Sequence, residues 1–358
     1  MTSKKTLRTK KSKDPETPPE LKKRVLFTPH RIALITMWLL TTVSLVVMLF
    51  IGVRYTDQFR TERYILHVAY VLALFWYLIR TGSSVKQLPD LSPLILPKLR
   101  IGKLIPVIVI ALLLVAEFSG QGIVLLLLML ATIWIMVVWR REIELSPILI
   151  GLVITAIAFL GGLPFWQNQF VRQTVFIGLL VFIMPMFVAG DLLHKRTGLG
   201  GSQLYLRQYG KAMWSFLLGC LLFVPFGLLN AATGSPGSGI TWVTHWWLPF
   251  SLPWFSGIAE EARYRLLLVT LCYFMLRPAF NKVPAIAIVF SVLFSGIVFG
   301  LGHGGNLMDR FLTTGLLYGL PMAVTYARRD WEHAVGAHYM INFIPWIMVF
   351  LTTYCDIT

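Results

Sequence analysis

The chain consists mainly of apolar runs separated by short polar breaks, and most of these runs have the length of a membrane-spanning helix. About 20 apolar residues cross the hydrocarbon core as an α-helix, and the short alternating segments of an outer-membrane barrel are absent from the sequence. We therefore predict an all-α fold, a polytopic integral membrane helical bundle of about 9–11 transmembrane helices. The apolar runs are 32–53, 64–79, 104–118, 122–139, 147–163, 170–190, 212–230, 249–276, 284–302, 311–327 and 334–354.

The distribution of charge predicts the orientation of this bundle. The chain is 56% hydrophobic and 13% charged, which excludes an ordinary soluble domain, and its net charge is +16. Most Lys and Arg residues lie in residues 1–31 and in alternate loops, so the positive-inside rule predicts a cytoplasmic N-terminus. We expect residues 1–31 to be a disordered basic cytoplasmic tail that contacts anionic lipid head groups, with no nucleic-acid partner. We expect a multi-pass protein of a bacterial plasma (inner) membrane.

Polar residues at predicted membrane depth are concentrated near the C-terminus. We divide the chain after the tail into an N-terminal transmembrane block, residues 32–211, and a C-terminal block, residues 212–358. The second block holds a cluster of carboxylates, histidines and one asparagine within apolar sequence. Ionisable groups inside a bilayer are costly, so this cluster is a candidate functional site. The three cysteines have neither disulfide-framework nor zinc-site spacing, and we expect no cofactor.

Two adjacent carboxylates, Glu260 and Glu261, begin this cluster. Upstream prolines predict a helix that starts near Trp254, with Ser251 as a possible cap. Neighbouring residues on a helix point in different directions, whereas Glu261 and Arg265 are spaced i,i+4 and can pair. We therefore expect a structural ion pair between these two, which leaves Glu260 as the reactive carboxylate. Competition for Glu260 by an arginine at i,i+3 and a plain helix-capping role for both acids are the alternatives.

Three further polar residues follow on later apolar runs. His303 lies among glycines at the end of one run, and His338 and Asn342 share a helix face at i,i+4 spacing. An imidazole can transfer protons, and an amide beside it can orient the ring or bind an oxyanion. Each residue alone is equally explained by packing or by an interhelical hydrogen bond. Their occurrence together points to acid–base chemistry.

Three motifs of this region resemble those of a known family. They are Glu260-Glu261-x-x-x-Arg265, Phe299-x-x-x-His303 and His338-x-x-x-Asn342, in this order on successive runs. They resemble the motifs of the CAAX protease and bacteriocin-processing family, also called the Abi family, over residues 245–354. The resemblance implies that 212–358 is a catalytic block of an intramembrane glutamate endopeptidase.

The resemblance also implies roles for the motif residues. Glu260 with His303 would activate a water, and His338 and Asn342 would stabilise the oxyanion of the tetrahedral intermediate. Glu261 and Arg265 would support them. The implied substrate is a membrane-associated peptide or membrane protein, such as a prenylated CAAX-type peptide or a leader peptide.

Several alternatives stay open. The family also contains non-catalytic proteins, so bacteriocin self-immunity or a scaffold or regulator function competes with proteolysis. A proton-coupled transporter is a third class, with less support because internal repeats are absent from the sequence. A divalent metal such as zinc is possible, because Glu260, His303 and His338 could supply three ligands. The family, however, is usually regarded as metal-independent.

One geometric mismatch is expected from the spacing. His338 lies about 12 Å along its helix from the inner loop 328–333, at 1.5 Å per residue. A perpendicular helix would place it roughly 10 Å too deep to meet the other site residues. Tilted helices, or a last helix that starts deeper in the protein, would bring them together.

Overall fold

The computed structural model describes residues 28–50, 60–81, 121–163, 169–233 and 246–354. Every regular element in these ranges is helical, which confirms the all-α prediction. The α-helices are α1 (Pro29–Phe50), α2 (Arg60–Thr81), α3 (Gln121–Val138), α4 (Leu145–Gly162), α5 (Gln169–Thr197), α6 (Tyr209–Leu222), α7 (Val224–Thr233), α8 (Leu248–Glu261), α9 (Thr270–Leu276), α10 (Pro284–Leu301), α11 (Leu320–Arg328) and α12 (Trp331–Tyr354). A π-helical segment, Ala262–Val269, joins α8 to α9, and a second one, Asp309–Gly319, leads into α11.

Several of these helices have the length and composition of membrane spans. Six helices in the described ranges qualify, namely α1, α2, α4, α5, α10 and α12. Helices α6 and α7 add a seventh if the 43° bend between them belongs to one broken span. The predicted runs 249–276 and 311–327 are also helical, but π-helical segments divide them. The chain is thus a polytopic helical membrane protein, while run 104–118 and most of the basic tail lie outside the described residues.

The last helix, α12, packs against α6, α7 and α8. Glycines permit the close approach of α6, because a Cβ atom at Gly336 would lie 2.1 Å from the carbonyl oxygen of Phe216. A Cβ atom at Gly219 would likewise lie 2.2 Å from the carbonyl oxygen of His333. Membrane helices associate largely through such small-residue contacts, because water exclusion supplies little driving force there. These contacts fix the helix that carries two candidate site residues.

Gly336→Ala should therefore destabilise the protein, whereas Gly178→Ala should not. The added methyl at Gly336 collides with backbone, and overpacking of this kind typically costs about 1–3 kcal/mol. Nothing lies within 4 Å of a Cβ atom at Gly178 in α5, so alanine there gains helix propensity. Thermal unfolding of the purified protein in detergent measures both variants. Equal melting temperatures would contradict the packing described for α6 and α12.

The start of α8 differs from the predicted start near Trp254. The helix begins at Leu248, and Pro249 occupies its first turn, where a missing N–H removes no helical hydrogen bond. Ser251 is not the N-cap, because its hydroxyl donates to the carbonyl oxygen of Leu248 at 3.2 Å. The prediction was wrong because the prolines were interpreted as helix breakers. The paired glutamates consequently lie in the interior of a continuous helical stretch, because the π-helical segment follows them directly, and no helix N-terminus stabilises their charge.

The start of α12 is buried beneath the loop that connects α5 to α6. The backbone N–H of Trp331 donates to the carbonyl oxygen of Gly201 at 2.7 Å. Asp330 accepts hydrogen bonds from Gln203 Nε2 at 3.1 Å and from Ser215 Oγ at 2.9 Å. The helix therefore starts inside the protein rather than at an exposed charged loop. His338 does meet the other candidate residues, since its Nε2 lies 3.8 Å from Oε2 of Glu260.

Asp330 makes the anchoring of α12 sensitive to pH. Burial opposes its ionisation, but hydrogen bonds and the charge of His333 outweigh burial and hold the pKa of Asp330 below its usual value. A depressed pKa stabilises the fold above the unfolded-state value of about 3.9 and stops doing so as the pH falls through the folded-state pKa. We expect the melting temperature to fall below about pH 4, and less steeply in Asp330→Asn. Identical pH profiles of the two proteins would contradict this prediction.

Candidate active site

The buried carboxylate of Glu261 holds two other side chains of the candidate site. Its Oε2 lies 3.2 Å from Arg265 Nε, and both side chains are completely buried. Its Oε1 accepts a hydrogen bond at 2.8 Å from Nδ1 of His338, which lies 77 residues later. The i,i+4 contact is present as expected, whereas the contact with His338 was not predicted. Buried charges are tolerated when they are paired, and Glu261 has both the charge of Arg265 and the hydrogen bond from His338.

Arg265 links this pair to helix α10. Its Nη1 donates to Ser295 Oγ at 3.2 Å, and the Ser295 hydroxyl donates in turn to the carbonyl oxygen of Tyr264 at 2.7 Å. The guanidinium carbon lies 4.6 Å from the centroid of the Phe299 ring. These contacts attach the glutamate motif to the helix that leads to His303.

Glu260 points in a different direction and faces both histidines. Its Oε2 lies 3.6 Å from Nε2 of His303 and 3.8 Å from Nε2 of His338. The side chain is 31% exposed, so it is accessible from the cavity described below. Both separations exceed a direct hydrogen bond, and a water beside the pair can reach both atoms. The structure thus brings Glu260, His303 and His338 together, although they come from three different helical regions.

The two histidines are oriented in the same manner. Nδ1 of His303 donates to the carbonyl oxygen of Phe299 at 2.7 Å, and Nδ1 of His338 is held by Glu261. The partner of one ring nitrogen determines the role of the other. In both residues Nε2 is therefore the nitrogen that faces Glu260. The Phe299 ring separates the two imidazoles, with its centroid 4.5 Å from that of His303 and 5.7 Å from that of His338.

Asn342 completes the group of candidate residues. Its Nδ2 donates to Ser256 Oγ at 2.8 Å, which uses one of its two N–H groups. Ser256 was missed by the sequence analysis, although it lies one helical turn before Glu260 and therefore on the same face. The alternative in which an arginine competes for Glu260 is not seen among the described residues. Arg263 instead lies over the Tyr264 ring, 4.7 Å from its centroid.

A cavity of about 410 Å³ contains these groups. Its walls include Glu260, His303, His338 and Asn342 together with residues that the sequence analysis did not select. The additional wall residues with polar side chains are Tyr64, Asn230, Asp309, Thr313, Thr314 and Tyr318. A second cavity of about 330 Å³ shares Tyr64, Asp309 and Thr313 with the first. The candidate site therefore has room for part of a peptide, beyond a single water.

A catalytic metal site usually takes about three protein ligands. Among the described residues, no group of three or more His, Cys, Asp or Glu side chains is arranged to hold a metal ion. Nδ1 of each histidine has a protein partner, which leaves Nε2 as the free ring nitrogen.

Comparison with protein families gives a match for the same region. Residues 241–344 match the family model described as "Type II CAAX prenyl endopeptidase Rce1-like". This part of the chain belongs to the CAAX protease family. It is a family of proteases, which supports peptide hydrolysis as the general chemistry. No curated protein and no solved structure matches the chain.

The CAAX protease region includes all seven motif residues but does not supply the whole cavity. Tyr64 lies on α2 and Asn230 on α7, both before the matched residues 241–344. Residues before the matched region thus contribute to the walls around the CAAX protease motifs. These contributions were not predictable from the motifs, because they depend on how α2 and α7 pack against the later helices.

Proposed function

We propose that this protein is an intramembrane endopeptidase that hydrolyses a peptide bond in a membrane-associated substrate. The observation that carries the proposal is the convergence of two imidazole Nε2 atoms on one oxygen of Glu260 inside a cavity. Family membership supports the reaction class, and the geometry supports the assignment of the residues. We propose a CAAX-type prenylated peptide as the substrate class, with leader peptides as the comparison.

In the first step, Glu260 and His303 bind and activate a water. The Glu260 carboxylate accepts a proton from the water, while Nε2 of His303 orients it. The resulting hydroxide attacks the scissile carbonyl directly, without a covalent intermediate. General-base assistance of this kind typically contributes about 10²–10⁴ in rate.

In the second step, His338 and Asn342 stabilise the oxyanion of the tetrahedral intermediate. His338 acts as an imidazolium, because its Nδ1–H donates to the Glu261 carboxylate and a second proton on Nε2 is needed for donation to the oxyanion. Asn342 donates the N–H that Ser256 does not use. Glu260 then returns its proton to the leaving amine, which restores the carboxylate. The protons therefore balance over one turnover.

Asn342→Ala should lower kcat by about 10²–10³ with little change in KM, as expected for an oxyanion donor that acts in the transition state. Steady-state cleavage of a fluorogenic peptide measures both constants. Ser256→Ala is the matched control, because it keeps Asn342 and removes only the hydroxyl that orients it. Ser256→Ala should therefore lose less activity than Asn342→Ala, and an unchanged kcat in Asn342→Ala, or a rise in KM alone, would remove Asn342 from the proposed oxyanion site.

The proposal is tested with purified protein in lipid vesicles and a panel of peptides. The panel contains a farnesylated CAAX peptide, the same peptide without the lipid, and a leader-type peptide, each with and without a chelator. We expect cleavage of the lipidated peptide that survives chelation. Activity lost with chelator and restored by zinc would replace this mechanism with one in which a metal activates the water.

Absence of cleavage from every peptide has a different meaning. Together with a cellular phenotype that is unchanged by Glu260→Gln, it would overturn the endopeptidase proposal in favour of a non-catalytic family member.

A further inference from the structure

Helix α12 contains a proline that interrupts its backbone hydrogen bonds close to the candidate site. Pro345 lies inside the helix and has no N–H. The carbonyl that such an N–H would bind belongs to the residue four positions earlier, Ile341. A buried carbonyl without a donor is costly in a membrane protein, so a replacement is expected from a neighbouring helix.

Asn230 of α7 supplies this replacement. Its Nδ2 donates to the carbonyl oxygen of Ile341 at 3.1 Å. Gly227, one turn earlier on the same helix face, brings the two helices together, since a Cβ atom there would lie 2.5 Å from the carbonyl oxygen of Met340. The side-chain amide of Asn230 therefore donates the hydrogen bond that Pro345 cannot donate within α12.

The hydrogen bond from Asn230 to Ile341 lies next to a candidate site residue. Ile341 is followed directly by Asn342, and Asn230, Ile341 and Asn342 all line the same cavity. The backbone that carries Asn342 is thus fixed on one side by its own helix and on the other by Asn230. Displacements of about 1 Å from a productive geometry can cost about 10² in rate.

We propose that Asn230 is a positioning residue that replaces the donor missing at Pro345 and thereby places Asn342 in the cavity. Asn230 and Pro345 both lie outside the family match at residues 241–344, so the motifs do not include them. The catalytic part of this inference rests on the proposed function. The structural part, in which Asn230 donates the hydrogen bond that Pro345 cannot, does not rest on the proposed function.

A double-mutant cycle separates this role from simple packing. Asn230→Leu keeps a side chain of similar size and removes the donor, while Pro345→Ala restores a backbone N–H to Ile341. We expect Asn230→Leu to lower kcat by about 10- to 100-fold with KM changed less than about twofold. In the Pro345→Ala background the same substitution should change kcat by less than about twofold, because the carbonyl then has its own helical donor.

Two results would overturn the inference. Equal effects of Asn230→Leu with and without Pro345 would show that the two positions act independently. A rise in KM with unchanged kcat would show that Asn230 contacts the substrate instead of positioning Asn342.

The melting temperatures of the same four proteins provide a readout that needs no activity. We expect Asn230→Leu to lower the melting temperature in the native background and to leave it nearly unchanged in Pro345→Ala. If the wild-type protein cleaves no peptide, the proposed function fails. The structural inference is then still supported by coupled melting temperatures and overturned by additive ones.

Discussion

Glu260→Gln should abolish peptide cleavage while the protein stays folded. Gln has nearly the same shape as Glu but accepts no proton from water, so both proton transfers at this position are lost. We expect kcat to fall by at least about 10³, within the range reported for general acid–base groups. The fold should tolerate the change, because Oε2 of Glu260 has no hydrogen-bond partner among the described residues. Neutralising a carboxylate at this depth also removes a desolvation cost.

The measurement combines turnover of the cleaved peptide with thermal unfolding of the same preparation. Glu142→Gln is a suitable control, because Glu142 is an exposed carboxylate paired with Arg196 away from the cavity. Residual activity of Glu260→Gln above a tenth of wild type would exclude Glu260 as the general base. A large drop in its melting temperature would instead indicate a structural role for this residue.

Glu261→Gln, unlike Glu260→Gln, should destabilise the folded protein. Removal of this charge leaves the completely buried Arg265 without its carboxylate, and breaking a buried pair from one side typically costs about 3–5 kcal/mol. His338 loses the charged acceptor on Nδ1, so activity should fall as well. We expect a lower melting temperature and a lower yield of folded protein.

Removal of both charges provides the control for this prediction. Glu261→Leu combined with Arg265→Leu leaves no uncompensated charge, and similar replacements of buried ion pairs are often neutral or stabilising. The double variant should therefore unfold at a higher temperature than Glu261→Gln, although it should be inactive. If Glu261→Gln unfolds at the wild-type temperature, the buried pair does not contribute to stability as described.

The helical class and the candidate residues were accessible from sequence because both depend on local patterns. Apolar runs of membrane length predict helices, and i,i+4 spacing predicted the contact between Glu261 and Arg265. The roles of the candidate residues, the division of the chain at residue 211 and the cytoplasmic N-terminus stay predictions.

Contacts between distant residues could not be predicted in the same way. The hydrogen bond from His338 to Glu261 and the one from Asn342 to Ser256 depend on the packing of α12 against α8. A single sequence carries no signal for such pairs. The sequence does show that Asn230 is a polar residue in an apolar run and that Pro345 interrupts a later run. It does not show that the Asn230 side chain lies beside the carbonyl that Pro345 leaves without a donor.

The π-helical segment that follows Glu261 has a consequence for insertions and deletions. A π-helical turn closes hydrogen bonds from i to i+5, so it holds an extra residue compared with an α-helical turn. Residues before and after Ala262–Val269 are therefore offset by one position relative to a continuous α-helix, or about 100° of rotation. Deletion of one residue here would let the segment relax to an α-helix and keep α8 and α9 in their present orientations. An insertion or deletion within α9 has no such reservoir and would rotate the residues after it by about 100°, whereas the exposed loop between α9 and α10 can absorb a change in length.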